Sequence, residues 1–131
     1  VIGIDTNVLV RFLVGDDPEQ EARAARLIEE AASRDERLFV SQLVVCELVW
    51  VLGYAYDQPR GAIASGLTEL LRARQLTFED SEQIRSALDR YATGAGDLAD
   101  WLIWERSKAA GCKSVVTFDA RLLRSDSFGE V

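Results

Sequence analysis

The sequence predicts a single α/β domain spanning residues 1–131, with a central parallel sheet and helices on both faces. Three observations carry this expectation. Short runs of β-branched and aliphatic residues alternate with longer segments of helical periodicity, the order produced by strands joined through crossover helices. Capping residues stand at the starts of the helical segments. No linker, low-complexity stretch or repeat interrupts the pattern, and 131 residues suffice to bury a core without disulfides or structural metal.

Taken in order, Val1 to Asp5 reads as a first strand, and its lack of polar/apolar alternation suggests a central position in the sheet. Asp17-Pro18-Glu19-Gln20 starts a helix, with Asp17 as N-cap, Pro18 in the first turn and Gln20 completing a capping box. Ala24, Ala25, Leu27, Ile28 and Ala31 give that helix an apolar face to about Ala32. Leu38-Phe39-Val40 is a second strand, and Ser41 caps a helix running to about Tyr54. Gln58-Pro59 opens the next helix, in which Ile63, Leu67, Leu70 and Leu71 recur at helical spacing. Leu76-Thr77-Phe78 is a third strand. Ser81 caps a helix carrying Ile84, Ala87, Leu88 and Tyr91 that stops in Thr93-Gly94-Ala95-Gly96. Another helix begins at Asp97 and ends near Gly111, a C′ glycine. Ser114 to Phe118 forms a fourth strand, and a short helix with a fraying tail follows from Ala120. Any last strand is short or absent.

Composition narrows the chemistry. The absence of histidine removes His/Cys zinc sites, Ser-His-Asp triads and imidazole acid–base catalysis. Cys46 and Cys112 lie in apolar stretches and read as small buried hydrophobes of a reducing compartment rather than a disulfide. No run approaches a membrane span and no signal-peptide pattern opens the chain, so the expected location is cytoplasmic, with no membrane partner. A formal charge of −7 argues against a broad nucleic-acid surface unless divalent cations offset clustered carboxylates. All but Lys108 and Lys113 of the 15 basic residues are arginine, the better fork for phosphate oxygens.

Ligands of open parallel sheets bind beyond the carboxyl ends of the strands. Asp5 ends the first strand and Asp119 follows the fourth; either alone is an ordinary turn residue. Glu47 interrupts Leu43-Val44-Val45-Cys46-Glu47-Leu48-Val49-Trp50-Val51-Leu52, a helix apolar on every side and therefore read as buried. A carboxylate there needs a cation, either an arginine partner or a metal. Asp97 and Asp100 fall at N-cap and N3 of one helix. Capping explains both, yet it needs only one of them. Carboxylates gathered in one place repel, and hard divalent cations, Mg²⁺ or Mn²⁺, relieve the repulsion through oxygen ligands. Metals so held activate water and stabilise a departing oxygen, which suggests hydrolysis of a phosphodiester. Arg11, Arg121 and Arg124 are candidate phosphate contacts, with solvated surface arginine as the alternative.

Ile4-Asp5-Thr6-Asn7-Val8-Leu9, the mid-helix Glu47 in SQLVVCELVWVL, the stretch DLADWLIWE and Val116-Thr117-Phe118-Asp119 together resemble a PIN domain, and within that superfamily the VapC-type toxins of toxin–antitoxin pairs. The resemblance covers essentially the whole chain, with the elements in the family's order. It implies a PIN-like fold and a metal-dependent endoribonuclease acting on tRNA, rRNA or mRNA. It also implies Mg²⁺ or Mn²⁺ as cofactor, a homodimer, and a VapB-like antitoxin as partner. Carried over by position, Asp5, Glu47, Asp100 and Asp119 are the implied catalytic and metal-ligating residues. Thr6, Asn7 and Thr117 support them, and Asp97 takes a supporting or capping role. Trp101 and Trp104 are bulkier than the small residues common after that aspartate and are read as core.

Other classes fit less well. A non-catalytic Mg²⁺-binding receiver-like domain wants adjacent acids after the first strand and a lysine at a late strand end. A haloacid-dehalogenase phosphatase wants Asp-x-Asp where this chain has Asp5-Thr6-Asn7. A partner-binding module leaves Glu47 without a task, and a structure-specific 5′ nuclease needs additional helices.

Overall fold

The computed structural model describes residues Val1–Val131, which divide into two compact units, Val1–Ser81 and Glu82–Val131. The first is built on a three-stranded parallel sheet of β1 (Ile2–Gly3), β2 (Leu38–Val40) and β3 (Leu76–Phe78), in that spatial order. Ile2 pairs with Leu38 and Leu38 with Leu76, so the strands run in one direction and require helical crossovers. The crossovers are α1 (Thr6–Val14) and α2 (Pro18–Ser33) between β1 and β2, and α3 (Gln42–Tyr54) and α4 (Arg60–Arg72) between β2 and β3. Leu9, Leu38, Val40, Val45, Leu48, Leu52 and Leu67 are fully buried in it. A parallel sheet with α-helices is the predicted fold class.

α1 is absent from the predicted elements because Thr6-Asn7-Val8-Leu9-Val10 is rich in β-branched residues. It forms because both ends are closed and one face is buried. Asp5 Oδ1 accepts the Thr6 N–H at 2.7 Å, Gly15 terminates the helix in the left-handed conformation (φ 69°), and Thr6, Leu9 and Val10 point inward at helical spacing. Packing against α2 and α3 overrides local propensity. β1 also departs from expectation: it is an edge of its sheet, not a central strand. Gly3 contributes no side chain, and only Ile4, just beyond the strand, reaches the core.

α2 starts as predicted on Asp17, whose Oδ1 accepts the Gln20 N–H at 3.1 Å. Gln20 does not show the reciprocal bond; its Oε1 accepts Arg11 Nε at 2.6 Å. α3 is anchored twice at its start. Ser41 Oγ accepts the Val44 N–H, and Glu79, just past β3, accepts the Gln42 N–H at 2.8 Å.

The second unit holds α5 (Ser81–Thr93), α6 (Leu98–Ala109), β4 (Val116–Thr117), α7 (Ala120–Leu123) and β5 (Gly129–Glu130). β4 and β5 pair in parallel, Val116 with Gly129, so a short final strand is present. β4 is shorter than the predicted Ser114–Phe118, and Phe118 is 87% exposed. Trp101 is buried as expected of a core residue and meets Phe128 edge-on at 5.3 Å. Trp104 is half-buried and donates to Ser127 O at 3.0 Å. The Arg90 guanidinium lies over both indoles, at 5.3 and 4.3 Å, and donates to Ser127 Oγ. The tail is thus held by two indoles and a cation. Cys46 and Cys112 are free thiols; Cys112 is exposed rather than buried, because it follows the Gly111 turn.

Candidate active site

In the first unit, β1 delivers Asp5 at its carboxyl end, and the turn into α1 fixes the side chain. The 2.7 Å bond from the Thr6 N–H occupies Oδ1 and leaves Oδ2 without a protein partner. Glu47 sits midway along α3, and the two carboxylates line one pocket of about 260 Å³ together with Thr6, Asn7, Val10, Arg11, Val51, Ala55 and Tyr56. The pocket exists because α1 offers Asn7, Val10 and Arg11 one turn apart, while α3 offers Glu47, Val51 and Ala55 at four-residue steps.

Glu47 is not buried, contrary to the sequence expectation. A helix apolar on all sides reads as enclosed, but α3 leaves Leu43 (82% exposed), Trp50 (61%) and Tyr54 (79%) open, and Glu47 shares that stretch of surface. Water solvates its carboxylate, so no partner arginine is needed. Trp50 and Tyr54 stack with ring centroids 4.9 Å apart.

Thr6 and Asn7 were expected beside the acids and both line the pocket. Thr6 is 4% exposed, and its Oγ1 is buried with no hydrogen-bond partner. Buried hydroxyls are seldom left unpaired, and this one adjoins a carboxylate with a free oxygen. Arg11 lines the pocket as well but is already engaged. It donates from Nε to Gln20, and from Nη1 to Asp16 and to the Tyr56 hydroxyl, both at 3.1 Å, while Tyr56 donates to Asp16 at 2.8 Å. The hydrogen bond with Tyr56, followed by the charge of Asp16, holds the Arg11 guanidinium above its ordinary pKa.

In the second unit, Asp100 Oδ2 accepts the Asp97 N–H at 2.8 Å, the reach-back half of a capping box, while Asp97 is the exposed N-cap residue of α6. Gly96 makes room for this. Its φ is +81°, and a Cβ there would stand 2.5 Å from Leu122 and 3.1 Å from Asp100 Oδ2. Asp119 starts α7: its Oδ1 accepts the Arg121 N–H at 2.9 Å, and the Arg121 guanidinium grips both oxygens at 3.2 and 2.9 Å. Thr117 Oγ1 accepts the Asp119 N–H at 3.0 Å, so this hydroxyl orients the backbone that carries the acid. Hydrogen bonding to Arg121 holds the Asp119 carboxyl below its ordinary pKa. The same bond raises Arg121, with smaller contributions from the charges of Asp97 and Asp100. Arg121, a candidate phosphate contact in the sequence, is here paired with Asp119. Arg124 is exposed and its side chain makes no bond to the protein.

No group of three or more Asp, Glu or Cys side chains is arranged to hold a metal ion. What the first unit offers is a pair. Mg²⁺ keeps most of its waters and takes only one or two protein carboxylates. A free Asp5 oxygen, an unpartnered Glu47 and an orphaned Thr6 hydroxyl suit that chemistry. Sequence reading missed Glu79, which anchors the start of the helix bearing Glu47, and the Asp16–Tyr56 clasp on Arg11; neither lies in a recognisable motif.

No helix is long and apolar enough to cross a membrane. Residues 2–127 match the PIN domain family. The chain is 32% identical over 118 residues to a VapC ribonuclease of Aquifex aeolicus (strain VF5), an alignment covering 90% of this chain and 87% of that protein. With a parallel α/β fold, an aspartate at the end of β1 and a match over nearly its full length, this chain belongs to the PIN-domain family.

Proposed function

We propose that the protein is a divalent-metal-dependent endoribonuclease, the toxin of a toxin–antitoxin pair, that hydrolyses phosphodiester bonds of tRNA, rRNA or mRNA. The observation that carries the reading is the pairing of Asp5 and Glu47 in one pocket beside the orphaned Thr6 hydroxyl, in a chain similar to a VapC ribonuclease. Asp5 and Glu47 would hold Mg²⁺ or Mn²⁺, with Asp100 and Asp119 as further carboxylate ligands. When bound, the metal supplies an activated water and charge neutralisation at the scissile phosphate.

The protein's own contribution is placement. The Thr6 N–H locks the Asp5 rotamer, so the free oxygen is presented in one direction. The Thr6 hydroxyl has a donor to give to a ligand oxygen or water at Asp5. Ser41 and Glu79 fix the start of α3 and with it the height of Glu47. Thr117 and Arg121 do the same for Asp119, Arg121 neutralising it until a stronger cation competes.

The proposal includes a VapB-like protein as antitoxin, a cytoplasmic location and a homodimer. The exposed Leu43, Trp50 and Tyr54 of α3 are the surface this reading gives to the second copy. Sedimentation that shows only monomer at micromolar concentration would remove the dimer from the proposal. Cleavage mapping of total RNA with Mg²⁺ or Mn²⁺ tests the activity. Wild type should cut at defined sites, and Glu47→Gln or Asp5→Asn should reduce cutting at least a hundredfold without loss of fold. Equal cleavage by Glu47→Gln and wild type would refute the assignment.

A further inference from the structure

A second pocket, of about 420 Å³, lies between α1 and α2 and shares Asn7 and Arg11 with the pocket that holds Asp5 and Glu47. Its polar lining is of the opposite kind. Arg11 and Arg23 bring guanidinium groups, Asn7 and Gln20 bring amides, and Val8 and Leu27 supply an apolar wall. The volume is in the range of small-molecule sites, about 300–1,000 Å³.

The two arginines differ in a way that suits them to one ligand. Arg11 is clamped by Gln20, Asp16 and Tyr56 through Nε and Nη1, which leaves both N–H groups of Nη2 without a protein partner. Asp16, the carboxylate facing it, already accepts from Arg11 and from the Tyr56 hydroxyl. Arg23 is exposed and pairs with nothing in the protein, although the chain carries a net charge of −7. Acidic side chains outnumber basic ones 22 to 15, yet this pocket keeps one unpaired guanidinium and one pre-oriented donor edge. Planar forks of this kind match phosphate oxygens.

We propose that the α1–α2 pocket binds one nucleotide of the RNA strand next to the one being cut, its phosphate on Arg23 and the Nη2 edge of Arg11 and its sugar or base against Val8 and Leu27. The inference rests on the ribonuclease reading for its substrate class and adds Arg23 as a positioning residue. The shared Asn7 and Arg11 make the two pockets neighbours, so a strand crossing one is led to the other.

Binding is measured without cleavage, by fluorescence anisotropy of a fluorescein-labelled oligouridine in EDTA across a salt series. Wild type is compared with Arg23→Gln and with Arg26→Gln, which removes the same charge from the same helix outside the pocket. Glutamine is a good helix former and both positions are exposed, so both variants should fold. Arg23→Gln should weaken binding about five- to tenfold and lower the salt slope by about 0.7, the value for one phosphate of a single strand. Arg26→Gln should change affinity less than twofold, and Arg23→Lys should restore most of the slope. Arg23→Gln within twofold of wild type overturns the proposal, as does an equal loss in Arg26→Gln, which would mean a diffuse field. Unchanged RNA affinity with lost binding of a partner protein overturns it in favour of a protein groove. If wild type cleaves no RNA but Arg23→Gln still loses affinity and slope, the pocket stands and the nuclease reading falls.

Discussion

Replacing Thr6 with valine separates the two explanations for a buried hydroxyl. Thr6 is 4% exposed and its Oγ1 has no partner, so the folded state carries the desolvation penalty of an unpaired polar group. Such a penalty is about 1–3 kcal/mol, and valine keeps the shape while removing the oxygen. The helix start is unaffected, because capping comes from Asp5 rather than from this hydroxyl. Thr6→Val should therefore raise stability by about 1–2 kcal/mol, or about 3–8 °C in melting temperature for a chain of this size. Urea unfolding reads the change as a shifted midpoint at constant slope. If the hydroxyl serves the Asp5 site, metal-dependent RNA cleavage should fall at least tenfold in the same variant. A loss of more than about 1 kcal/mol would refute the reasoning, since only a partnered hydroxyl stabilises. Higher stability with full cleavage would instead make the orphan a packing accident.

Gly96→Ala forces a left-handed residue to carry a Cβ 2.5 Å from Leu122, so we expect a loss on the order of 2–4 kcal/mol in chemical denaturation. Asp100→Ala should cost about 1 kcal/mol through the bond it receives from Asp97 N, while Asp100→Asn keeps an acceptor and should melt within about 0.5 kcal/mol of wild type. Only the charge, and with it cleavage, should be lost in the asparagine variant. Asp119 has a folded pKa lowered by Arg121, so its pairing contributes stability above about pH 4 that is lost as pH falls through the lowered value. Arg121→Gln should accordingly flatten the acid limb of a stability–pH curve by lowering stability at neutral pH while leaving it nearly unchanged below the lowered pKa. Calorimetric titration with Mn²⁺ should show affinity in wild type and none in Asp5→Asn combined with Glu47→Gln.

Much of the fold was legible because its signals are local. Asp17, Ser41 and the 76–78 run specify their elements through neighbours in sequence, and the structure has a cap or strand at each. α1 was hidden because its reason is tertiary: a β-branched run becomes helical once Leu9 and Val10 have α2 and α3 to pack on. The burial of Glu47 was misread for a related cause. Periodicity shows how apolar a helix is, not how much of it the fold has surface to cover, and α3 has more apolar surface than its unit encloses. Asp5, Asp97 and Asp119 stand at the helix starts where their local signals put them. Arg11 and Arg121 as clasps were not legible, since Asp16, Tyr56 and Asp119 find them only in three dimensions or through rotamer choice.

The three aspartates answer a question that sequence leaves open, whether an acid at a helix start is a cap or a functional group. Asp5 accepts the Thr6 N–H on Oδ1, Asp100 accepts the Asp97 N–H on Oδ2, and Asp119 accepts the Arg121 N–H on Oδ1. Each backbone bond occupies one oxygen, fixes the rotamer and leaves the second to point elsewhere, free in Asp5 and gripped by a replaceable arginine in Asp119. Capping is thus the means by which the carboxylate is aimed, and the two readings are not rivals. Glu47 has no such bond and is positioned only by the helix that carries it, whose start is held by Ser41 and Glu79. It follows that Glu79→Gln, which weakens the anchor of α3 without touching any acid of the pocket, should lower cleavage through Glu47 alone. Its effect should vanish in a Glu47→Gln background, and equal fractional losses in both backgrounds would show that Glu79 acts on the fold at large.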